Sequence, residues 1–387
     1  MKATVCRRGE FEVVDLPMPE PGRRQVLLKV LRAGICGSDL HARIHCDEVA
    51  ALTGEVGYDH FMRSDERVVM GHEFVGEVVS YGRGCRRRWK AGTRVVSLPI
   101  RRDGDEVQMT GLSARAAGAF AEYVLVEEDV TMPVPDRLDT DLAALTEPLS
   151  VGRHAVARSG IGRGDVAVVV GCGPIGLAVI LMLKAQGVKT VVASDLSPAR
   201  RALAGSCGAD VVVDPARSEL ADRIPERAMH FRRGPELLDF ALDAMHKLRT
   251  VPGLPWWRLM GLGERLGQVP KGPVVFECVG LPGMLDRLSA EMPYRSRIVV
   301  VGVCMEPDTV RPALLSNKEI DLRFVFAYDP DEFRDTLHLM ADGRIDARPL
   351  LTGTVGLDGV DAAFAALGDP ETHVKILIDP ASAAVTP

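Results

Sequence analysis

Near its start the chain sets out residues able to do metal chemistry: Cys36-Gly37-Ser38-Asp39-Leu40-His41, followed by Gly71-His72-Glu73. Thiolate, imidazole and carboxylate are all zinc donors, and a catalytic zinc keeps one position open for water or substrate. Further on, Gly171-Cys172-Gly173-Pro174-Ile175-Gly176 has the glycine spacing that can hold a dinucleotide pyrophosphate. A Lewis acid and a nicotinamide site in one chain imply oxidation of an alcohol or reduction of a carbonyl.

The glycine motif sits where it must to be useful. It follows the apolar run Val166–Val170 and opens the apolar stretch Ile175–Gln186. The first glycine allows a tight turn, the second lets backbone approach the pyrophosphate, and the third lets helix and strand pack closely. The helix start then offers free N–H groups and a favourable dipole to phosphate. Asp195 closes the next apolar run. A carboxylate there accepts hydrogen bonds from the adenosine ribose and repels a 2′-phosphate, which favours NAD over NADP. Arg200 lies close enough to stack on adenine or pair with Asp195; Arg200 and Arg201 are the features that would suit NADP.

Two textures of sequence must position these residues. Residues 1 to about 150 read as mostly β, with short β-branched runs such as Val26–Val30 and Glu77–Val79 punctuated by Gly and Pro, and few helical stretches. Asp141–Ser159 reads as a helical connector. Apolar strands then alternate with helices: Val166–Val170, Thr190–Ala193, Val211–Val213, Val274–Cys278 and Ile298–Val303. Strands apolar throughout belong to a parallel sheet covered on both faces, built from βαβ units. A helix over Glu332–Asp342 and strands at Leu351–Val355 and Val374–Ile378 return to the first texture. The expected architecture is α/β: a β-rich domain, 1–153 with 328–387, interrupted by a doubly wound nucleotide domain, 154–327. A helical insertion near 217–271 fits neither texture. Pro235–Leu248, with Leu238, Leu242 and Met245 at helical spacing, predicts its helix. Packing of that helix under Trp256 and Trp257 makes it a surface insertion; the alternative is a lid or subunit contact.

Composition narrows the function classes. The 387 residues include 47% hydrophobic and 26% charged residues, with a net charge of −6, which describes a globular chain with no basic face for nucleic acid. No apolar run approaches the ~20 residues a membrane span needs, and the polar start does not read as a secretory signal. The eight cysteines include no CxxC pair, so the chain reads as a cytoplasmic protein with reduced thiols.

Taken together, Gly34–His41, Gly71–Val78, Glu147-Pro148-Leu149-Ser150-Val151-Gly152, the glycine motif, Phe276–Gly280 and Val374–Pro380 resemble the zinc-dependent medium-chain dehydrogenase/reductase family, close to its polyol (sorbitol-type) and threonine dehydrogenase branch. The resemblance implies a GroES-like catalytic domain and a Rossmann domain. It also implies one catalytic zinc per subunit and hydride transfer between an alcohol or carbonyl substrate and NAD. It carries the zinc ligands to Cys36 and His72, with Glu73 and Glu147 both candidates for the third, and a proton relay to Ser38 and His41. It puts Asp195 and Arg200 on the adenosine half of NAD. Cys278, Val279 and Gly280, Val301, Gly302 and Val303, and Val325, Phe326 and Ala327 fall near the nicotinamide half. A homodimer or homotetramer joined at the nucleotide-sheet edge, around Ile298–Val303, is implied as well.

The chain departs from that pattern in its lack of any cysteine between Cys85 and Cys172. No structural zinc is therefore expected, and the loop Ser97–Gly118 must be held otherwise. Cys46–Arg67 is longer than in polyol relatives; Tyr58, His60, Phe61 and Met62 there suit either an enlarged substrate pocket or an exposed loop. Two rivals remain: a zinc-free NAD(P)H reductase of the same superfamily, and a non-catalytic NAD-binding protein.

Overall fold

The computed structural model of the chain describes residues 1–225, 230–250, 255, 257–259 and 270–387. It forms two compact units, one of residues 1–154, 173–182 and 327–387, the other of 155–172 and 183–326.

The second unit is built on six parallel strands: Val166–Val170, Thr190–Ser194, Val211–Val213, Val274–Glu277, Arg297–Val300 and Asp321–Phe324. Their order across the sheet is third, second, first, fourth, fifth, sixth, the doubly wound arrangement expected from the alternating apolar runs. The first two strands are buried along their whole length, as two-sided cover requires. Arg297–Val300 is paired on both sides, so the expected edge around Ile298–Val303 is corrected: the edge on that side of the sheet is Asp321–Phe324, and Val211–Val213 forms the other. The predicted insertion helix is present as Gly234–Arg249, with Pro235 in its first turn and no buried residue. Leu238, Leu242 and Trp257 are exposed; Trp256 and residues 251–254 lie outside the described residues.

The first unit centres on a seven-stranded sheet. Its long middle strand, Gln25–Gly34, lies between Glu73–Tyr81 and Lys375–Ile378, and also pairs with Tyr123–Glu127. This register sets Gly34 opposite both Glu73 and Leu377. Segments from opposite ends of the chain therefore meet at one point of the sheet. Gly34 must be glycine, because a Cβ there would overlap the Glu73 carboxylate.

Helices are not as scarce in the first 150 residues as the sequence suggests. A 19-residue helix spans Gly37–Glu55, kinked at His45. Its buried residues are Asp39, Ala42, Cys46 and Ala50. The spacing is helical, but the residues are too small or polar to stand out as an apolar stripe. This helix takes up the start of Cys46–Arg67. Phe61 and Met62 lie in the core of the unit and Tyr58 packs against it, so the segment is not a wholly exposed loop.

The loop Ser97–Gly118 folds into the hairpin Ile100–Asp103 with Glu106–Met109. Arg115 pairs with Asp103 and Glu106, Ser113 donates to Gln108 at 2.8 Å, and Tyr58 Oη accepts from the Met109 N–H at 2.9 Å.

Candidate metal and nucleotide sites

Three elements of the first unit deliver the metal-type donors. Cys36 stands at the N-terminus of helix Gly37–Glu55, where its N–H donates to Asp39 Oδ2 at 2.9 Å. His72 precedes strand Glu73–Tyr81, and Glu147 lies in the first turn of helix Thr146–Ser159. His72 Nε2 is hydrogen bonded to the Ser38 hydroxyl at 3.2 Å. On the opposite side of the ring, Nδ1 lies 3.2 Å from Asp39 Oδ1, and neither atom has another partner among the described residues. A metal-bound histidine commonly turns its second nitrogen to a carboxylate in this way.

The two candidate carboxylates differ in what holds them. Glu73 is fully buried, and both its oxygens accept from Lys375 Nζ at 2.8 Å. Lys375 is equally buried and also donates to the Ile35 carbonyl at 2.7 Å. Glu147 Oε1 accepts from the Tyr328 hydroxyl at 2.9 Å; its other oxygen has no hydrogen bond among the described residues.

Electrostatics tie these groups into one cluster. Burial, aided by Glu73, pushes the Cys36 thiol up. Burial pushes Glu147 up to about 7, with Glu73 adding to it and His72 pulling the other way. Burial also lowers His72, yet Asp39 and Cys36 hold it well above the usual imidazole value. Asp39, Glu73 and Glu147 are all buried, and the equally buried Lys375 ammonium pairs with Glu73. The S, N and O donors offered here are those zinc takes.

Sequence reasoning missed Asp39, Lys375 and Tyr328. Asp39 lies inside the first motif, and a carboxylate three residues beyond a cysteine was a usable signal. Lys375, a charge inside the apolar run Val374–Ile378, was another. Nothing in the sequence marked Tyr328. His41 is exposed, and Ser38 is bonded to His72 rather than to it.

Gly71 holds His72 in place. Its φ is +98°, and a Cβ would run into the Phe120 ring. Gly71→Ala is therefore expected to destabilise the unit by about 1–3 kcal/mol from the backbone alone and to displace His72. Urea unfolding and zinc content check this; a variant with wild-type values of both would contradict it.

In the nucleotide motif, strand Val166–Val170 ends at Gly171 and the following helix begins at Pro174. Asp195 follows the second strand. Its carboxylate accepts from the Cys172 N–H at 2.7 Å and the Ser197 N–H at 2.8 Å. Arg201 donates to the Asp195 carbonyl and pairs with Asp214, while the Arg200 N–H donates to the Ser197 hydroxyl at 3.1 Å. Arg200 Nε is buried without a partner. The Glu277 carboxylate accepts from the N–H groups of Val279 and Gly280 at 2.7 and 2.8 Å, which fixes the turn at Cys278. Among the other expected nicotinamide neighbours, Val301 is buried, Gly302 and Val325 are half-buried, and Val303 and Phe326 are exposed.

Residues 22–136 match the family model described as alcohol dehydrogenase GroES-like domain, and residues 174–251 match zinc-binding dehydrogenase. A (R,R)-butanediol dehydrogenase of Bacillus subtilis is 33% identical over 386 residues, 96% of each chain. The chain belongs to the zinc-binding alcohol dehydrogenase family. A sorbitol dehydrogenase of the same organism is 26% identical, covering 98% of this chain and 97% of its own, in keeping with the expected polyol branch. The crystal structure of the Bacillus subtilis 2R,3R-butanediol dehydrogenase superposes with a TM-score of 0.74 at 30% identity, over 98% of this chain and 99% of that one. The protein is thus an oxidoreductase acting on CH–OH groups, with catalytic zinc and a nicotinamide cofactor. No helix among its described residues is long and apolar enough to cross a membrane.

Proposed function

We propose that this dehydrogenase oxidises a small vicinal diol to the hydroxy ketone, reversibly, with NAD. It would do so in a two-domain subunit of residues 1–153 with 328–387 and 154–327, working in the cytoplasm. The observation that carries the reading is the His72 ring held between the Ser38 hydroxyl and Asp39, with Asp39 also accepting from the Cys36 N–H. Cys36 Sγ, His72 Nε2 and the Glu147 carboxylate hold the zinc; Glu73, with both oxygens on Lys375, stays out of its coordination. When bound, zinc supplies the Lewis acidity that lowers the pKa of a substrate hydroxyl. Asp39 orients the His72 ring through Nδ1. The Ser38 hydroxyl, already on the His72 side of the cluster, takes the substrate proton and passes it toward solvent, with exposed His41 as the outer acceptor. The diol preference rests on the butanediol dehydrogenase relative, which matches over 96% of its length at higher identity than the sorbitol enzyme. Turnover with NAD of (2R,3R)-butanediol against sorbitol tests it; sorbitol as the better substrate by kcat/KM would overturn the diol preference.

Asp195 supports NAD as the cofactor. Asp195→Ala is expected to raise the NADP-to-NAD ratio of kcat/KM by about tenfold or more, equivalent to ~1.4 kcal/mol; an unchanged ratio would remove Asp195 from cofactor choice.

The homo-oligomer forms through the edge strand Asp321–Phe324, beside which Phe324 and Phe326 are exposed. An unpaired edge with aromatic side chains invites pairing with another copy. Phe324→Asp is expected to shift the protein to monomer in light scattering; an unaltered mass would rule this edge out.

A further inference from the structure

Glu147 does not stand in its cluster by its own helix alone. Helix Thr146–Ser159 carries Glu147 at its start and His154 about two turns on, and both are held from one neighbouring segment. Tyr328 donates to Glu147 Oε1 at 2.9 Å. Directly after it, Asp329 precedes the helix Pro330–Ala341. Glu332 of that helix bonds His154 Nδ1 through Oε2 at 2.7 Å, and the same oxygen accepts the Asp329 N–H at 2.9 Å. His154, Asp329 and Glu332 thus fasten the second half of helix Thr146–Ser159 to the start of helix Pro330–Ala341, with the shared Glu332 oxygen already bonded twice. The Tyr328 ring stacks on buried Phe333, with centroids 5.5 Å apart and planes 23° apart, so the hydroxyl is aimed by packing as well as by the bond.

We infer that Tyr328 is a positioning residue for the metal ligand Glu147: its hydroxyl occupies Oε1 and leaves Oε2 as the oxygen presented to the metal. This rests on the reading of Glu147 as a ligand. It explains how the two buried carboxylates differ in role. Glu73 has both oxygens taken by an ammonium, whereas Glu147 has one held and one open. The partner is a neutral hydroxyl rather than an ammonium. Partners that orient a metal ligand commonly contribute about 10–100-fold to metal affinity or activity.

The test is zinc affinity by chelator competition on the full-length protein, together with NAD affinity and kcat, for wild type, Tyr328→Phe, Glu147→Gln and the double variant. Tyr328→Phe keeps the ring on Phe333 and removes one oxygen. It is expected to bind zinc about 10–100-fold more weakly with NAD affinity and melting temperature held, and to add little in the Glu147→Gln background. An equal loss in both backgrounds would show that Tyr328 does not act through Glu147. Zinc affinity and kcat unchanged in Tyr328→Phe would overturn the inference while leaving the proposed function intact. Wild-type protein that takes up no zinc would overturn both.

Discussion

Cys36→Ser is expected to lose its zinc and about three orders of magnitude or more in kcat, with NAD affinity within about twofold of wild type. The magnitude follows from the several kcal/mol a metal contributes to transition-state charge stabilisation, at ~1.4 kcal/mol per tenfold in rate. Serine has the size of cysteine, and Cys36 also anchors a helix start through its backbone N–H, which the substitution keeps, so the unit should fold. Asp195 and the six-stranded sheet belong to the other compact unit. Metal analysis, nucleotide titration and a turnover assay on one preparation check all three expectations. A variant retaining wild-type turnover would falsify the assignment of Cys36 as a ligand.

Lys375→Met should cost stability on a comparable scale. Glu73 and Lys375 are both essentially inaccessible to solvent, and both Glu73 oxygens depend on Nζ. Removing one member of such a pair leaves an uncompensated charge in the core, with a loss of about 3–5 kcal/mol. Glu73 lies beside His72, so zinc affinity should fall as well. Glu73→Gln/Lys375→Met removes both charges and is expected to recover most of the lost stability, because replacing an entire buried pair is often close to neutral. Urea unfolding of the single and double variants decides this. A double variant no more stable than Lys375→Met would mean that lost packing, not the stranded carboxylate, governs the site.

How far the sequence reveals these features depends on whether their signal is local. Cys36 and His72 are legible because their residue types and glycine-flanked positions suit a metal, and the parallel sheet because Val166–Val170 and Thr190–Ser194 are apolar throughout. Asp195 is legible because it closes a strand within the nucleotide motif. The Glu73–Lys375 pair is not, since it depends on two strands meeting across Gln25–Gly34 from positions 302 residues apart. The sheet edge was misplaced because Asp321-Leu322-Arg323-Phe324 is mixed in polarity and only partly buried, so it does not read as a strand of the same sheet. Helix Gly37–Glu55 hides behind small buried residues. Tyr328 acquires its role from packing on Phe333 and reach to Glu147, neither of which leaves a pattern in the sequence.

Zinc K-edge X-ray absorption on protein purified without chelators tests the central claim most directly, because it reads the donor set itself. The account predicts about one zinc per chain, with about one sulfur at ~2.3 Å and the remaining donors nitrogen or oxygen at ~2.0–2.2 Å. Absence of zinc, or a site without sulfur, would contradict the assignment of Cys36, His72 and Glu147 as the metal centre.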